Sequence, residues 1–362
     1  MKLAHILYSG LGGHSSVVFS FIEAENNQEF EHVLIFFGIE DMPVAYLNKC
    51  KELKIAYYAI KKNPGLDIAS QKKITGLLKE ISPNVILLHS VNLILPIFKY
   101  TIGKKIKLIS IEHQANELKT KREWIGSFFV MLLSDKVVYL TESYKNQIKN
   151  KLRFVFKTNK VSIINNGINI DLFKPADFVN ERNLIRIGML SRLTAIKDHL
   201  TLIDAFKLLL DKAGNKQEMM LLLAGEGETK KSLMEKVNDL KLQDNVVFCG
   251  MLSEMESVTF LNSLDIYVHA SFGETMSTAI MQAMACAKAM IVSDVDGINN
   301  MVTNNITGLL VPTQNKEVLA NTLEKLLADK ELQKKLGHNA VEFAQENYSN
   351  KFMYKKYKAL ID

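Results

Sequence analysis

The chain holds 362 residues, a length that divides more readily into two domains than into one or three. Hydrophobic residues make up 48% and charged residues 23%, with only 6 prolines, which excludes a disordered, collagen-like or low-complexity protein. Formal net charge is +6 and unevenly spread: residues 1–175 carry 24 Lys and Arg against 15 Asp and Glu, giving +9, whereas 176–362 carry 21 against 24, giving −3. The basic first half makes an anionic membrane surface or an anionic acceptor its candidate partner, although a solvated lysine-rich surface fits the same counts. Cys50, Cys249 and Cys286 are too few and too far apart for a disulfide framework or a CxxC metal knuckle, and a reducing cytoplasm is the natural reading.

In chain order, short aliphatic runs at 3–8, 32–37, 55–60, 84–89, 107–111, 136–140 and 161–164 alternate with segments of helical periodicity. Continuous apolar runs of this kind mark parallel strands covered on both faces, because each crossover lays a helix over the sheet. The first run leads into glycines without a small-residue cleavage site, so it reads as a buried strand and not as a signal peptide. The 18 charge-free residues 81–98 contain Pro83, Asn84, His89 and Pro96 and do not read as a membrane span. From 166 to 183 the sequence turns polar, and the domain break is placed near Phe173. Strand runs resume at 185–189, 219–223, 245–248, 265–269, 290–293 and 309–311, with helices expected over 197–210 and 230–240. The expected fold class is therefore α/β, with two Rossmann-like, doubly wound parallel-sheet domains at 1–173 and 174–340 and a helical tail over 341–362.

Three loops have the composition for chemistry. Gly10-Leu11-Gly12-Gly13-His14-Ser15 joins the first strand to a helix at 17–21. Gly12 and Gly13 would let an anion approach N–H groups at the helix N-terminus, where the macrodipole favours negative charge. The spacing is not a dinucleotide fingerprint, since Glu23 and Glu25 lie too close to be the acidic residue expected about 20 positions on, and a plain turn also fits. In Gly188-Met189-Leu190-Ser191-Arg192-Leu193-Thr194-Ala195-Ile196-Lys197-Asp198, Arg192 offers a planar fork and Lys197 a mobile point charge, together suited to a diphosphate. Ser271-Phe272-Gly273-Glu274-Thr275-Met276-Ser277 follows the run at 265–269. A helix expected from near Met276 would present the N–H groups of Thr275, Met276, Ser277 and Thr278 to an anion, with Glu274 accepting from hydroxyls. On that helix Gln282 would lie ~12 Å beyond Glu274, a span that suits a sugar at one end and a nucleoside at the other.

Arg192 and Lys197, then Gly225-Glu226-Gly227, then Glu274 with Gln282-Ala283-Met284-Ala285, together with Asn165-Asn166-Gly167, Phe173 and Pro175, resemble the motifs of the retaining GT-B glycosyltransferases of family 4 over nearly the full length. The resemblance implies two domains facing a cleft, the first binding acceptor and the second donor, with the tail packing back on the first. It implies that Arg192 and Lys197 hold the donor diphosphate and Glu274 the sugar hydroxyls, with the backbone of Thr275, Met276 and Ser277 against sugar or phosphate. Gln282 would then face the ribose, where the family usually has a second Glu. An amide has one carbonyl acceptor, so weaker donor affinity is expected. Asp198 stands where Gly commonly follows the Lys. His113 matches the family's acceptor-side histidine, with His14 and His89 as rivals.

The implied activity is metal-independent, retaining transfer of a hexosyl group from a nucleoside diphosphate sugar, a UDP-sugar ahead of GDP-mannose, to a glycan or lipid-linked acceptor in surface polysaccharide synthesis. No cofactor is expected beyond the donor substrate, and no metal: Asp294-Val295-Asp296 has DxD spacing but resembles a family strand end. Lys119-Thr120-Lys121-Arg122-Glu123-Trp124 and the lysines around Phe154 and Phe156 suit a cytoplasmic protein resting on anionic lipid, or a core helix with lysines outside. Nucleic acid is a poorer partner, as no reading module accompanies the lysines. The readings from other classes are a non-catalytic sugar-nucleotide-binding subunit of a transferase complex, to which Gln282 lends weight, and a nucleotide-sugar epimerase of related fold.

Overall fold

The computed structural model describes residues 1–10, 12–25, 27–176, 184–214 and 218–362; Leu11 of the glycine loop and 177–183 of the polar stretch lie outside the described residues. The chain forms two compact units, Met1–Asn169 with Asn350–Asp362, and Ile170–Ser349.

The first unit is a seven-stranded sheet of β1 (Lys2–Tyr8), β2 (Glu31–Gly38), β3 (Ala56–Lys61), β4 (Val85–Leu88), β5 (Lys107–Glu112), β6 (Lys136–Tyr139) and β7 (Val161–Ile163), in the order β3-β2-β1-β4-β5-β6-β7. Every pairing is parallel. Successive side chains serve opposite faces. Ala4, Ile6, Val33 and Ile35 pack with α3 (Ile68–Ile81), α4 (Ile94–Thr101), α5 (Lys121–Leu133) and α6 (Glu142–Lys151), while Leu7, Leu34 and Phe36 pack with α1 (Gly13–Glu23) and α2 (Val44–Glu52). Strands buried on both sides have to be apolar throughout, which is why they read as unbroken runs.

The second unit is a six-stranded parallel sheet, β10 (Val246–Gly250), β9 (Met219–Ala224), β8 (Ile185–Leu190), β11 (Ile266–His269), β12 (Ala289–Ser293) and β13 (Leu309–Val311), in that spatial order. One face packs on α7 (His199–Ala213), α8 (Lys230–Asp239) and α11 (Lys316–Ala328). The helices α9 (Glu254–Ser263) and α10 (Thr278–Ala285) contact one another, and α12 (Lys330–Asn347) contacts β12, α10 and α11 and sets Leu336 into the core formed on that face. Side chains set where helices start: Ser253 and Glu256 close a capping box on α9, and Asp329 caps α12.

The single helix expected over the tail is two helices. α12 stays in the second unit, and α13 (Asn350–Ile361) lies in the first. Asn350 fixes the entry to α13: its N–H donates to Ile168 O at 2.9 Å and its amide to Ser20 O at 3.1 Å. Tyr354 and Tyr357 then pack their rings against Phe21 of α1. The chain also changes unit at Asn169, ahead of Phe173, whose side chain is fully buried.

The turn after β9 depends on backbone packing. Gly225 has φ +137°, and a Cβ there would stand 1.9 Å from Ser191 O in the turn after β8. Gly225→Ala is expected to destabilise the second unit by about 2–4 kcal/mol through steric overlap and backbone strain. A denaturant titration read by near-UV dichroism checks this, and an unchanged midpoint would show that the two turns can separate freely.

Candidate active site

In the second sheet the chain runs outward from β8 to β9 and β10, then returns to place β11 on the other side of β8. Such a reversal of strand order opens a crevice above the carboxyl ends of the two strands. The loop after β8 carries Arg192 and Lys197, and the loop after β11 carries Glu274. Lys197 and Ser271 form an isolated antiparallel bridge. Alongside it, Asp198 N donates to Ala270 O at 3.1 Å and Phe272 N to Ile196 O at 2.9 Å, so the two loops are tied by their backbones. Lys197 Nζ and Glu274 Oε2 consequently meet in a direct ion pair, with side chains 8% and 20% exposed, while Arg192 stays exposed at the rim.

Beneath this pair lies a polar layer that sequence reading missed. His269 Nε2 lies 3.2 Å from Lys197 Nζ and 3.4 Å from Glu274 Oε2; with the ammonium donating to it at the shorter distance, the His269 proton lies on Nδ1, 2.9 Å from Tyr267 Oη. Tyr267 in turn donates to Leu190 O at 3.4 Å. Burial, with Lys197 adding, keeps His269 well below the usual histidine range and therefore neutral, an acceptor for the ammonium. The other imidazole in the layer, His199, is pulled down to about 4, chiefly by burial, and bonds Ser191 Oγ at 3.1 Å. Lys197 itself is drawn down to about 7 by burial first and by the Arg192 charge second, against the attraction of Glu274. The only sequence signal for this layer was a histidine ending an apolar run at 265–269.

Glu274 does not sit on a helix. α10 begins at Thr278, so Glu274, Thr275, Met276 and Ser277 form the loop before it, and the helical spacing expected between Glu274 and Gln282 does not hold. The Ser277 N–H is spent on Met301 Sδ at 3.2 Å, and Thr275, Met276 and Ser277 are buried. Gln282, half-buried, lies within α10. The Glu274 loop rests on the turn after β12: a Cβ on Gly297, at φ +88°, would stand 1.6 Å from Glu274 O. Asp198 caps α7 through Thr201 N at 3.2 Å and takes Gln314 N at 3.2 Å, which accounts for a carboxylate beside the cationic loop. Among the described residues no group of three His, Cys, Asp or Glu side chains is placed to hold a metal ion.

The first sheet reverses order in the same way, between β1 and β4. Gly12 caps α1, but its N–H donates to Tyr46 Oη at 3.0 Å instead of facing a ligand, and Gly13 opens the helix. His14 bonds Tyr8 O at 3.3 Å, and its ring centre lies 6.0 Å from that of His113, which follows β5. His89, after β4, pairs with His113 at 2.9 Å. Lys119, expected at the basic surface, is instead buried, with its side chain 1% exposed, in an ion pair with Glu112. Ser127 Oγ also donates to Glu112 Oε2 at 2.8 Å. A charge removed from water needs such partners, and Glu112 at the end of an apolar strand was the sequence sign of them.

Two family models match the chain, Glycosyltransferase Family 4 over residues 11–172 and Glycosyl transferases group 1 over 173–343. An uncharacterized glycosyltransferase of Methanocaldococcus jannaschii is 26% identical over 72% of this chain and 69% of its own. The N-acetylgalactosamine-N,N'-diacetylbacillosaminyl-diphospho-undecaprenol 4-alpha-N-acetylgalactosaminyltransferase of Campylobacter jejuni is 22% identical over 92% of each chain. The crystal structure of Anabaena HepE in complex with UDP-glucose superposes with a TM-score of 0.83 at 16% identity, covering 100% of this chain and 99% of that one. With both halves matched and two parallel-sheet units of this topology, the chain belongs to the GT-B glycosyltransferases of the family 4 and group 1 type.

Proposed function

We propose that this glycosyltransferase moves a hexosyl group from a UDP-sugar to a glycan or lipid-linked acceptor of a surface polysaccharide, with retention and without a metal. The observation that carries the reading is the Lys197–Glu274 pair at the carboxyl ends of neighbouring strands, with Arg192 at its rim. As the glycosidic bond to the nucleotide breaks, negative charge builds on the leaving diphosphate. Lys197, held by Glu274 and His269, and Arg192 at the rim are placed to stabilise that charge. Glu274 accepts hydrogen bonds from the donor sugar's hydroxyls and so orients the anomeric carbon. The leaving phosphate takes the acceptor's proton on the same face, so no protein nucleophile is assigned. The UDP-glucose in the HepE complex and the lipid-linked diphosphate named for the Campylobacter relative support the choice of donor and acceptor class. A non-catalytic sugar-nucleotide-binding subunit is the second reading, favoured by Gln282 in place of the family's usual Glu.

Lys197→Ala and Glu274→Ala are each expected to lower transfer by about 10²–10³-fold or more. Release of nucleoside diphosphate from a panel of UDP-, GDP- and ADP-sugars measures it, and a thermal-shift panel reads binding separately, at about 2.7 kcal/mol of stabilisation when ligand reaches 100 Kd. Near-wild-type rates in both variants would remove the site assignment. Binding without release under any acceptor would move the function to the subunit reading.

The Lys197 ammonium, low at about 7 in the free chain, is raised by a bound diphosphate, so binding takes up a proton. Affinity for UDP-glucose is then greatest below pH 7. Above it, affinity weakens toward a limit of about tenfold per pH unit until the pKa of the bound state is passed. Calorimetry from pH 6 to 8.5 measures the slope; Lys197→Arg should flatten it, and a flat profile in the wild type would place Lys197 outside the diphosphate site.

On the first unit, Phe154 is 88% exposed with Arg153 over its ring, and Ile125 of α5 is 57% exposed. Lys121 lies on α5 with Ile125, and Lys149 and Lys151 lie in the last turn of α6, which ends just before Phe154. This mixture suits an anionic lipid surface, and no helix among the described residues is long and apolar enough to cross a membrane. Cosedimentation with phosphatidylglycerol vesicles should fall with Phe154→Ser and with rising salt, whereas equal binding to phosphatidylcholine vesicles would exclude charge recognition.

A further inference from the structure

His89 and His113 stand at the carboxyl ends of the adjacent strands β4 and β5, their ring planes 20° apart and His89 Nδ1 2.9 Å from His113 Nε2. Between two nitrogens at that distance one ring donates and the other accepts. Burial keeps both imidazoles neutral, His89 well below the usual range and His113 near 3, with neighbouring histidines adding to the effect. A neutral imidazole carries one N–H, so the pair has two protons to place among four nitrogens. His89 Nε2 settles the placement. It is buried and has no hydrogen-bond partner. Buried N–H groups without an acceptor are rarer and costlier than unfilled lone pairs, so the His89 proton belongs on Nδ1, where it is donated to His113 Nε2. That contact occupies the one lone pair of the His113 ring, and the His113 proton lies on Nδ1. His113 Nδ1 makes no hydrogen bond to another described residue, and the residue is part-exposed.

We propose that His89 is a positioning residue that fixes His113 as its Nδ1–H tautomer, so that His113 meets a ligand as a hydrogen-bond donor and has no free lone pair with which to act as a general base. What His113 donates to, a sugar hydroxyl or a phosphate oxygen, rests on the transferase reading; the tautomer does not. The consequence for transfer is that the first unit supplies no proton acceptor at this histidine, in keeping with the leaving phosphate as the group that takes the acceptor's proton.

The tautomer is read directly from long-range proton–nitrogen correlation spectra of the unliganded full chain labelled with 15N-histidine, at neutral pH. His113→Asn assigns the signals among the eight histidines. A protonated Nδ1 and an unprotonated Nε2 at His113 are expected. His89→Leu should release the constraint and shift His113 toward the Nε2–H form. An Nε2–H or doubly protonated His113 in the wild type would overturn the proposal, whatever the chain catalyses. Transfer kinetics supply the second arm. His113→Asn places an amide N–H near the Nδ1 position and should keep most of the rate, whereas His113→Leu should lose about a hundredfold, as when a preorganised donor is removed. Equal losses in the two variants would argue for a base and against a donor.

Discussion

An ammonium and a carboxylate buried in contact at the edge of a parallel sheet are costly to desolvate, and they persist only where their surroundings satisfy what each still lacks. Around Lys197 and Glu274 those surroundings account for much of the second unit. β8 and β11 must be neighbours for the two side chains to meet, which the reversal in strand order provides. The loops must be tied at the backbone, which the Lys197–Ser271 bridge provides. Backbones must approach more closely than any side chain permits, which explains glycine at 225 against Ser191 and at 297 against Glu274. A neutral acceptor must lie under the ammonium, and His269 is that acceptor.

Four of the histidines, at the two sheet edges, serve as neutral polar groups and not as charges. Burial removes the imidazolium form at His89, His113, His199 and His269, so each ring offers one donor and one acceptor whose order is set by its neighbour. In the second unit the order runs from Lys197 through His269 and Tyr267 to a backbone carbonyl, which holds the cation still. In the first it runs from His89 to His113. Rigid dipoles and an ammonium held by hydrogen bonds suit the proposed transfer, in which charge builds on a leaving diphosphate, because they do not have to turn as the charge appears.

Much of this arrangement was open to sequence reading. The thirteen strands of the described residues coincide with apolar runs to within a residue or two at their ends. Central strands such as β1, β2, β4, β11 and β12 are covered on both faces and have no solvent-facing position where a polar residue would break the run, while the edge strand β3 keeps its apolar residues although it is largely exposed. Arg192, Lys197 and Glu274 stood out because they lie in loops that follow such runs and because their combined spacing resembles the family's motifs. The start of α10 was misplaced for a local reason. Ser277 caps it with extended backbone, and the residues before it are held by Met301 and Gly297, some twenty positions later in the chain. Lys119 was misread for a similar reason: a lysine beside Lys121 and Arg122 looks like surface until Glu112 is found behind it.

The sequence by itself determined the alternation of strand and helix, the presence of two sheets, and which loops carry charge, because each of these follows from periodicity and composition within a dozen residues. Only the tertiary structure decided which loops share an edge, that Lys197 faces Glu274 over a buried imidazole, that the Gly12 N–H is spent on Tyr46, and that His89 governs the proton on His113. Those facts depend on strand order and on burial, and both are set by contacts between residues tens of positions apart, on which local pattern carries no information.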